Sequence, residues 1–245
     1  GQFCAAALAV FFNLKFNREL TICLMEIFRP NGKIIGKIYS VGVPSIIMAS
    51  VSSVMNFCMN NILMAFTSTA TAVFGAYFKI QSFVFMPVFG LNQGAMPIMG
   101  YNYGAAKKDR LMQTYKEALK IALLVMALGL LLFQALPKQL LLMFDASTDM
   151  LAIGIPALRI ISLCFLPAAF GIITGTLFQG TGHGVYSLLC SVIRQLIGIL
   201  PLAFILIRIG GVTLSWASFP LAEILGLTYS AIMLRHLYKK EIVNM

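Results

Sequence analysis

Apolar residues along this chain gather into long blocks, without the alternation of a half-buried strand or the single stripe of a surface helix. Six such blocks follow one another, with approximate cores at 38–64, 70–99, 111–136, 150–178, 185–207 and 212–234. Each exceeds the roughly 20 helical residues that cross a bilayer's hydrocarbon core. The pattern therefore predicts an all-α polytopic membrane protein with six transmembrane helices. Ahead of them lie an apolar stub at 1–14, read as the end of a preceding helix, and a charged linker at 15–37. In that linker Arg29-Pro30-Asn31-Gly32 breaks helix. The lobe itself is placed at 38–236 and a tail at 237–245.

Composition agrees: 60% of residues are hydrophobic and 11% are charged, against about a quarter charged in a soluble domain. The net charge of +10 comes from 18 Lys and Arg against 8 Asp and Glu, and the placement of the basic residues speaks against a nucleic-acid partner. With loops assigned alternately to two sides, one side collects Lys15, Arg18, Arg29, Lys33, Lys37, Lys107, Lys108, Arg110, Arg235, Lys239 and Lys240, and the other only Lys138 and Arg208. The basic side is expected to be cytoplasmic, with both ends of the six-helix segment inside and the bacterial inner membrane as the location. The 5 cysteines, Cys4, Cys23, Cys58, Cys164 and Cys190, have no paired spacing and read as small buried hydrophobes. No HExxH, CxxC, nucleophile elbow or phosphate loop is present, so no enzyme, cofactor or metal site is expected.

Two blocks are longer than a plain crossing needs and carry helix-perturbing residues. The second contains Pro87 and Gly90, the fourth Pro167 and Gly171, and these four are the candidate hinges. A proline removes an amide donor and frees a carbonyl, a defect tolerated in lipid only against protein or a wet cavity. Such helices either bend to pack or line a transport path. In the first block Ser45, Ser52, Asn56 and Asn60 lie within an arc of about 80° at 3.6 residues per turn, flanked by Met48, Met55 and Met59. Hydrogen-bonding groups beside polarisable thioethers suit varied amphiphilic organic molecules. The alternative is that Ser and Asn join this helix to a neighbour.

Four ionisable residues fall inside apolar blocks: Lys79, Arg159, Arg194 and Glu223. Facing lipid, each costs about 2.5 kcal/mol or more, so all are expected to point inward. Lys79, Arg159 and Glu223 lie at similar depth, which permits a buried cluster, with Arg194 or Arg159 as partner for Glu223. An acidic group from elsewhere, or water, would balance the surplus of positive charge.

The stretch Phe85-Met86-Pro87, Gly90-Leu91-Asn92-Gln93-Gly94, Pro97-Ile98 and Gly100-Tyr101-Asn102-Tyr103-Gly104-Ala105 resembles the second and third helices of a lobe in the MATE (multidrug and toxic compound extrusion) family. Gly42-Val43-Pro44 is similar to the family's G-x-P opening, and Gln179-Gly180-Thr181-Gly182 to the inner turn before the fifth helix. Arg194, Pro201, Trp216, Pro220 and Glu223 resemble its last two helices. The resemblance covers nearly the whole chain. It implies the C-terminal lobe of a twelve-helix exporter whose N-terminal six-helix lobe is the missing partner. It implies antiport of organic cations or drug-like amphiphiles against sodium ions or protons, with Gln93 joining the Ser/Asn/Met face at the substrate. Members resembling this chain place an acidic cation ligand about eight residues after the G-x-P proline, where Ser52 stands, and an Asp in the tenth helix, where 150–178 has none. The coupling ion is accordingly expected mainly in the N-terminal lobe. A related flippase for lipid-linked or anionic substrates, and a non-transporting scaffold, are the alternatives.

Overall fold

In the computed structural model the described residues are 1–16 and 31–245, without the side chains of 37, 38, 40, 41, 44, 45 and 244. Arg18, Cys23, Arg29 and Pro30, and the side chain of Ser45, thus lie outside the described residues. The chain divides into two units, Gly1–Gly42 and Val43–Met245. In the first, α1 (Gln2–Phe16) buries no residue. Helix α2 (Gly32–Met64) begins inside the predicted linker, where the Asn31 side chain accepts from the Lys33 amide at 3.0 Å, the bond of an N-cap.

The second unit is a helical bundle. After α2 come α3 (Ser68–Gly104), α4 (Lys108–Ala135), the short α5 (Pro137–Leu142), α6 (Thr148–Ser162) and α7 (Phe165–Gly180). Then α8 (Gly184–Val192) runs through π-helical turns at Ile193–Ile199 into α9 (Leu200–Ser215), and α10 (Ser218–Lys240) closes the bundle. Among the described residues four helical stretches are long and apolar enough to cross a bilayer: Ile46–Met64, Ser68–Gly104, Lys108–Ala135 and Gly184–Ser215. The pair α6 and α7 makes a fifth crossing, bent by 48°. Helix α10, the sixth predicted crossing, is long enough at 23 residues, but Glu223 and its basic end dilute its apolar run.

The 48° bend between α6 and α7 falls where proline chemistry puts it, a few residues ahead of the candidate hinge Pro167. Helix α3 stays helical through Pro87, Gly90 and Pro97. The break between α6 and α7 is at Leu163 and Cys164, upstream of Pro167. A proline ring crowds the carbonyl four residues before it, here that of Leu163, and Pro167 itself sits in the first turn of α7, where an amide has no intrahelical partner. Leu163 and Cys164 donate instead to Ile160 and Ile161, a tighter turn that closes α6. Gly171 is inside α7, away from the break. A second break separates the last two blocks at Gly210 and Gly211. Gly211, at φ 68°, occupies backbone space that side chains disfavour.

Packing between helices uses small residues and hydrogen bonds, because lipid supplies little hydrophobic drive for helix association. A methyl group on Gly129 of α4 would meet Val84 of α3 at 2.2 Å, and one on Gly198 would meet Ala222 of α10 at 2.7 Å. Tyr115 and Thr174 pair their hydroxyls at 3.0 Å, joining α4 to α7, and Gln134 of α4 donates to Ser162 of α6 at 3.0 Å. Thr176 of α7 donates to Asn92 of α3. The core is aromatic: Phe74 stacks on Trp216, and Phe133 meets Phe165 edge-on with ring centres 5.0 Å apart. Phe57, Phe83, Leu124, Leu128, Leu131 and Ile224 point outward and are exposed, the outer surface expected of a bundle whose solvent is lipid.

Candidate functional site: a polar-floored cavity within the bundle

Helix α3 contributes one wall of a half-open cavity of about 340 Å³. Tyr77, Gln81, Phe85 and Phe89 recur every fourth residue, with Phe78, Ser82 and Met86 beside them, so a single helix face supplies them all. Ser52, Met55 and Asn56 come from α2, Cys164 from the α6–α7 break and Ile172 from α7. Arg194, Gln195 and Ile199 come from the π-helical turns, Phe219 and Glu223 from α10. Aromatic and thioether surface thus faces two glutamines, an asparagine, two serines and one ion pair.

The ion pair is placed by helix geometry. The π-helical turns end at the Leu200-Pro201 step, where proline leaves the carbonyl of Ile197 without its α-helical donor. π turns of this kind are frequent at functional sites. Gly198 against Ala222 lets these turns approach α10 closely, and the Arg194 side chain lies over Gly226, within 3.4 to 3.6 Å of where a methyl group would stand. That lay brings the Arg194 Nη1 to 3.1 Å from the Glu223 Oε1, with side chains 23% and 10% exposed. The one named bond leaves further guanidinium donors and the second carboxylate oxygen for other partners. Asn56 adds a buried Oδ1 with no hydrogen-bond partner among the described residues, an acceptor where an unmet one is costly.

The sequence-predicted residues distribute unevenly. Ser52, Met55, Asn56, Arg194 and Glu223 line the cavity. Met59 is wholly buried in the hydrophobic core, Asn60 is half-buried outside the lining, and Gln93 is exposed further along α3. The expectation that all four charges point inward needs correction, because Lys79 and Arg159 are exposed. Lys79 is two residues from Tyr77, about 200° around the helix, and its ammonium sits 5.9 Å from the centre of the Phe144 ring. Arg159 offers its backbone carbonyl to Gln134 at 2.8 Å and directs no charge into the cavity. Of the two partners expected for Glu223, Arg194 is the one that pairs with it, and Lys79 and Arg159 do not join them at the cavity. Tyr77, Gln81, Phe85, Phe89 and Gln195 were missed, although the fourfold spacing on α3 is a signal that a helical projection of the second block would have displayed.

A separate polar knot closes the basic end of the bundle. Tyr103 at the end of α3 donates to Glu241 just beyond α10, and His183 in the α7–α8 turn lies with Nε2 3.1 Å from the other carboxylate oxygen. The Tyr103 bond above all, with His183 beside it, holds the Glu241 carboxyl below its ordinary range. A lowered carboxylate pKa stabilises the folded arrangement above the unfolded value, about 4.3, and that contribution is lost as pH falls through the folded value. Hydrogen exchange at 241–245, corrected for its intrinsic pH dependence, should stay slow from neutral pH down to about 5 and quicken below. Glu241→Gln should exchange faster near neutral pH and converge with the parent at acid pH; exchange equal to the parent's near neutrality would remove the knot as a constraint.

A family model described as MatE matches residues 44–205. The multidrug export protein MepA of Staphylococcus saprophyticus is 23% identical over 207 residues, covering 84% of this chain and 46% of that protein. The MepA of Staphylococcus haemolyticus is 20% identical over 210 residues, 85% of this chain and 46% of its own. The chain spans about half the length of these relatives. Among solved structures, a MOP superfamily transporter from Pyrococcus furiosus superposes with a TM-score of 0.83 at 23% identity, over 97% of this chain and 55% of that one. A MATE structure in complex with MaL6 gives 0.82 at 24% identity, over 97% and 55%.

Proposed function

The chain belongs to the MatE family, and from that premise we propose that it forms one six-helix lobe of a secondary exporter that antiports organic cations or drug-like amphiphiles against sodium ions or protons. The observation that carries this reading is the cavity, in which aromatic and methionine walls face amides, hydroxyls and one Arg–Glu pair. Its volume of about 340 Å³ falls in the range of small-molecule pockets, which pair an apolar lining with a few directional polar groups. The aromatic faces offer cation–π attraction to a ligand cation, and the methionines adapt to different outlines. Alternating access rocks one helix bundle against another around a shared site, so the second lobe is a required partner and carries most of the coupling-ion chemistry. The basic end faces the cytoplasm in this reading, as the distribution of Lys and Arg predicts.

Efflux of a fluorescent organic cation from cells expressing the two-lobe protein tests the proposal. Efflux should stop when the sodium and proton gradients are both collapsed, and Tyr77→Ala should reduce it several-fold at unchanged expression. Efflux that ignores both gradients, or none with several dyes, would overturn the assignment.

A further inference from the structure

The outward face of α10 is built in two parts. Leu221, Leu225, Thr228 and Ile232 are exposed and follow one another at helical spacing along a single stripe. The stripe continues without a break into exposed Arg235 and Lys239. From Leu221 to Ile232 the helix rises about 16 Å, close to one leaflet of a hydrocarbon core about 30 Å thick. At its end Ile232, Arg235, His236, Lys239 and Lys240 line a surface recess of about 360 Å³, and none of these residues is acidic. The neighbouring carboxylate, Glu241, is turned away to Tyr103 and His183. Among the described residues neither Arg235 nor Lys239 forms an ion pair.

We propose that this face binds an anionic phospholipid, its acyl chains along the Leu221–Ile232 stripe and its phosphate in the Arg235/Lys239 recess. The match of apolar length to one leaflet selects a lipid over a soluble phosphate compound, which would use the recess but leave the stripe idle. Basic clusters at the end of a membrane helix attract anionic headgroups at short range, and the guanidinium of Arg235 presents paired donors to phosphate oxygens. The helix C-terminus carries a partial negative charge, which the cluster of cations outweighs. The inference rests on membrane insertion of the bundle and is independent of what the cavity transports.

Native mass spectrometry of the protein released from nanodiscs containing equal phosphatidylglycerol and phosphatidylcholine tests it. Phosphatidylglycerol should be retained preferentially, and the double variant Arg235→Gln/Lys239→Gln should lose that preference, by about fivefold for each charge removed. The charge-preserving pair Arg235→Lys/Lys239→Arg should keep most of it, which separates a lost binding site from a misfolded variant. Equal retention of the two lipids by the parent protein would overturn the proposal. So would protection of the parent against thermal unfolding by inorganic phosphate alone as strong as that given by phosphatidylglycerol. Efflux activity is not the readout, so failure here leaves the transport reading untouched.

Discussion

Arg194→Met should be among the most damaging single substitutions in the bundle, lowering stability by about 3–5 kcal/mol, because it strands the Glu223 carboxylate in a site only 10% exposed. Glu223→Leu should cost a similar amount by stranding the guanidinium. The double variant Arg194→Met/Glu223→Leu should recover most of the loss, since replacing a buried pair with apolar groups of similar volume is often neutral. Thermal unfolding of the four proteins in one detergent measures this cycle; additive losses would show that the residues act separately. The isosteric Glu223→Gln keeps a hydrogen-bond acceptor for Arg194 while removing the charge. If efflux by the two-lobe protein keeps its ion dependence with this variant, Glu223 serves structure alone and the coupling carboxylate is elsewhere.

Asn56→Leu should act in the opposite sense on stability and on binding. The Asn56 Oδ1 is buried without a partner among the described residues, a condition that costs about 1–3 kcal/mol, so leucine there should leave the melting temperature unchanged or raise it. The same change removes a cavity acceptor and should weaken binding of an amide- or ammonium-bearing ligand about tenfold, roughly 1.4 kcal/mol. Dye titration and thermal unfolding of one preparation read both effects. Lower stability with unchanged affinity would place Asn56 in the structural class of Ser and Asn contacts between helices. Stability gained at the expense of a site is a pattern seen where function requires groups the fold would sooner replace.

Both predictions concern residues visible from the sequence, and they show where such reading stops. Ser52 and Asn56 stood out because polar groups in an apolar helix are conspicuous, and Arg194 and Glu223 because charges in such helices are rare. The same two rules also selected Lys79, Arg159 and Asn60, which the structure keeps out of the cavity. Depth along a helix follows from counting residues at 1.5 Å each, so Lys79 and Glu223 were placed at comparable levels. Rotation about the axis does not follow from counting. In a soluble bundle the apolar stripe reveals it, but here the lipid-facing and core-facing sides are both apolar: exposed Phe83 and buried Phe85 sit two residues apart on α3.

Chain order and chemistry alone determined that this is a helical membrane protein, where its apolar blocks fall, which end is basic, and which family it resembles, because hydropathy and charge are summed along the axis of each segment. Only tertiary structure decided which faces meet. Gly198 seated on Ala222, Val84 pressed to Gly129, and the turn at Leu163 and Cys164 forced by the ring of Pro167 set rotations and bends. Those rotations, fixed by contacts between residues far apart in the chain, are what bring Tyr77, Asn56 and the Arg194–Glu223 pair around one space and leave Lys79 outside it.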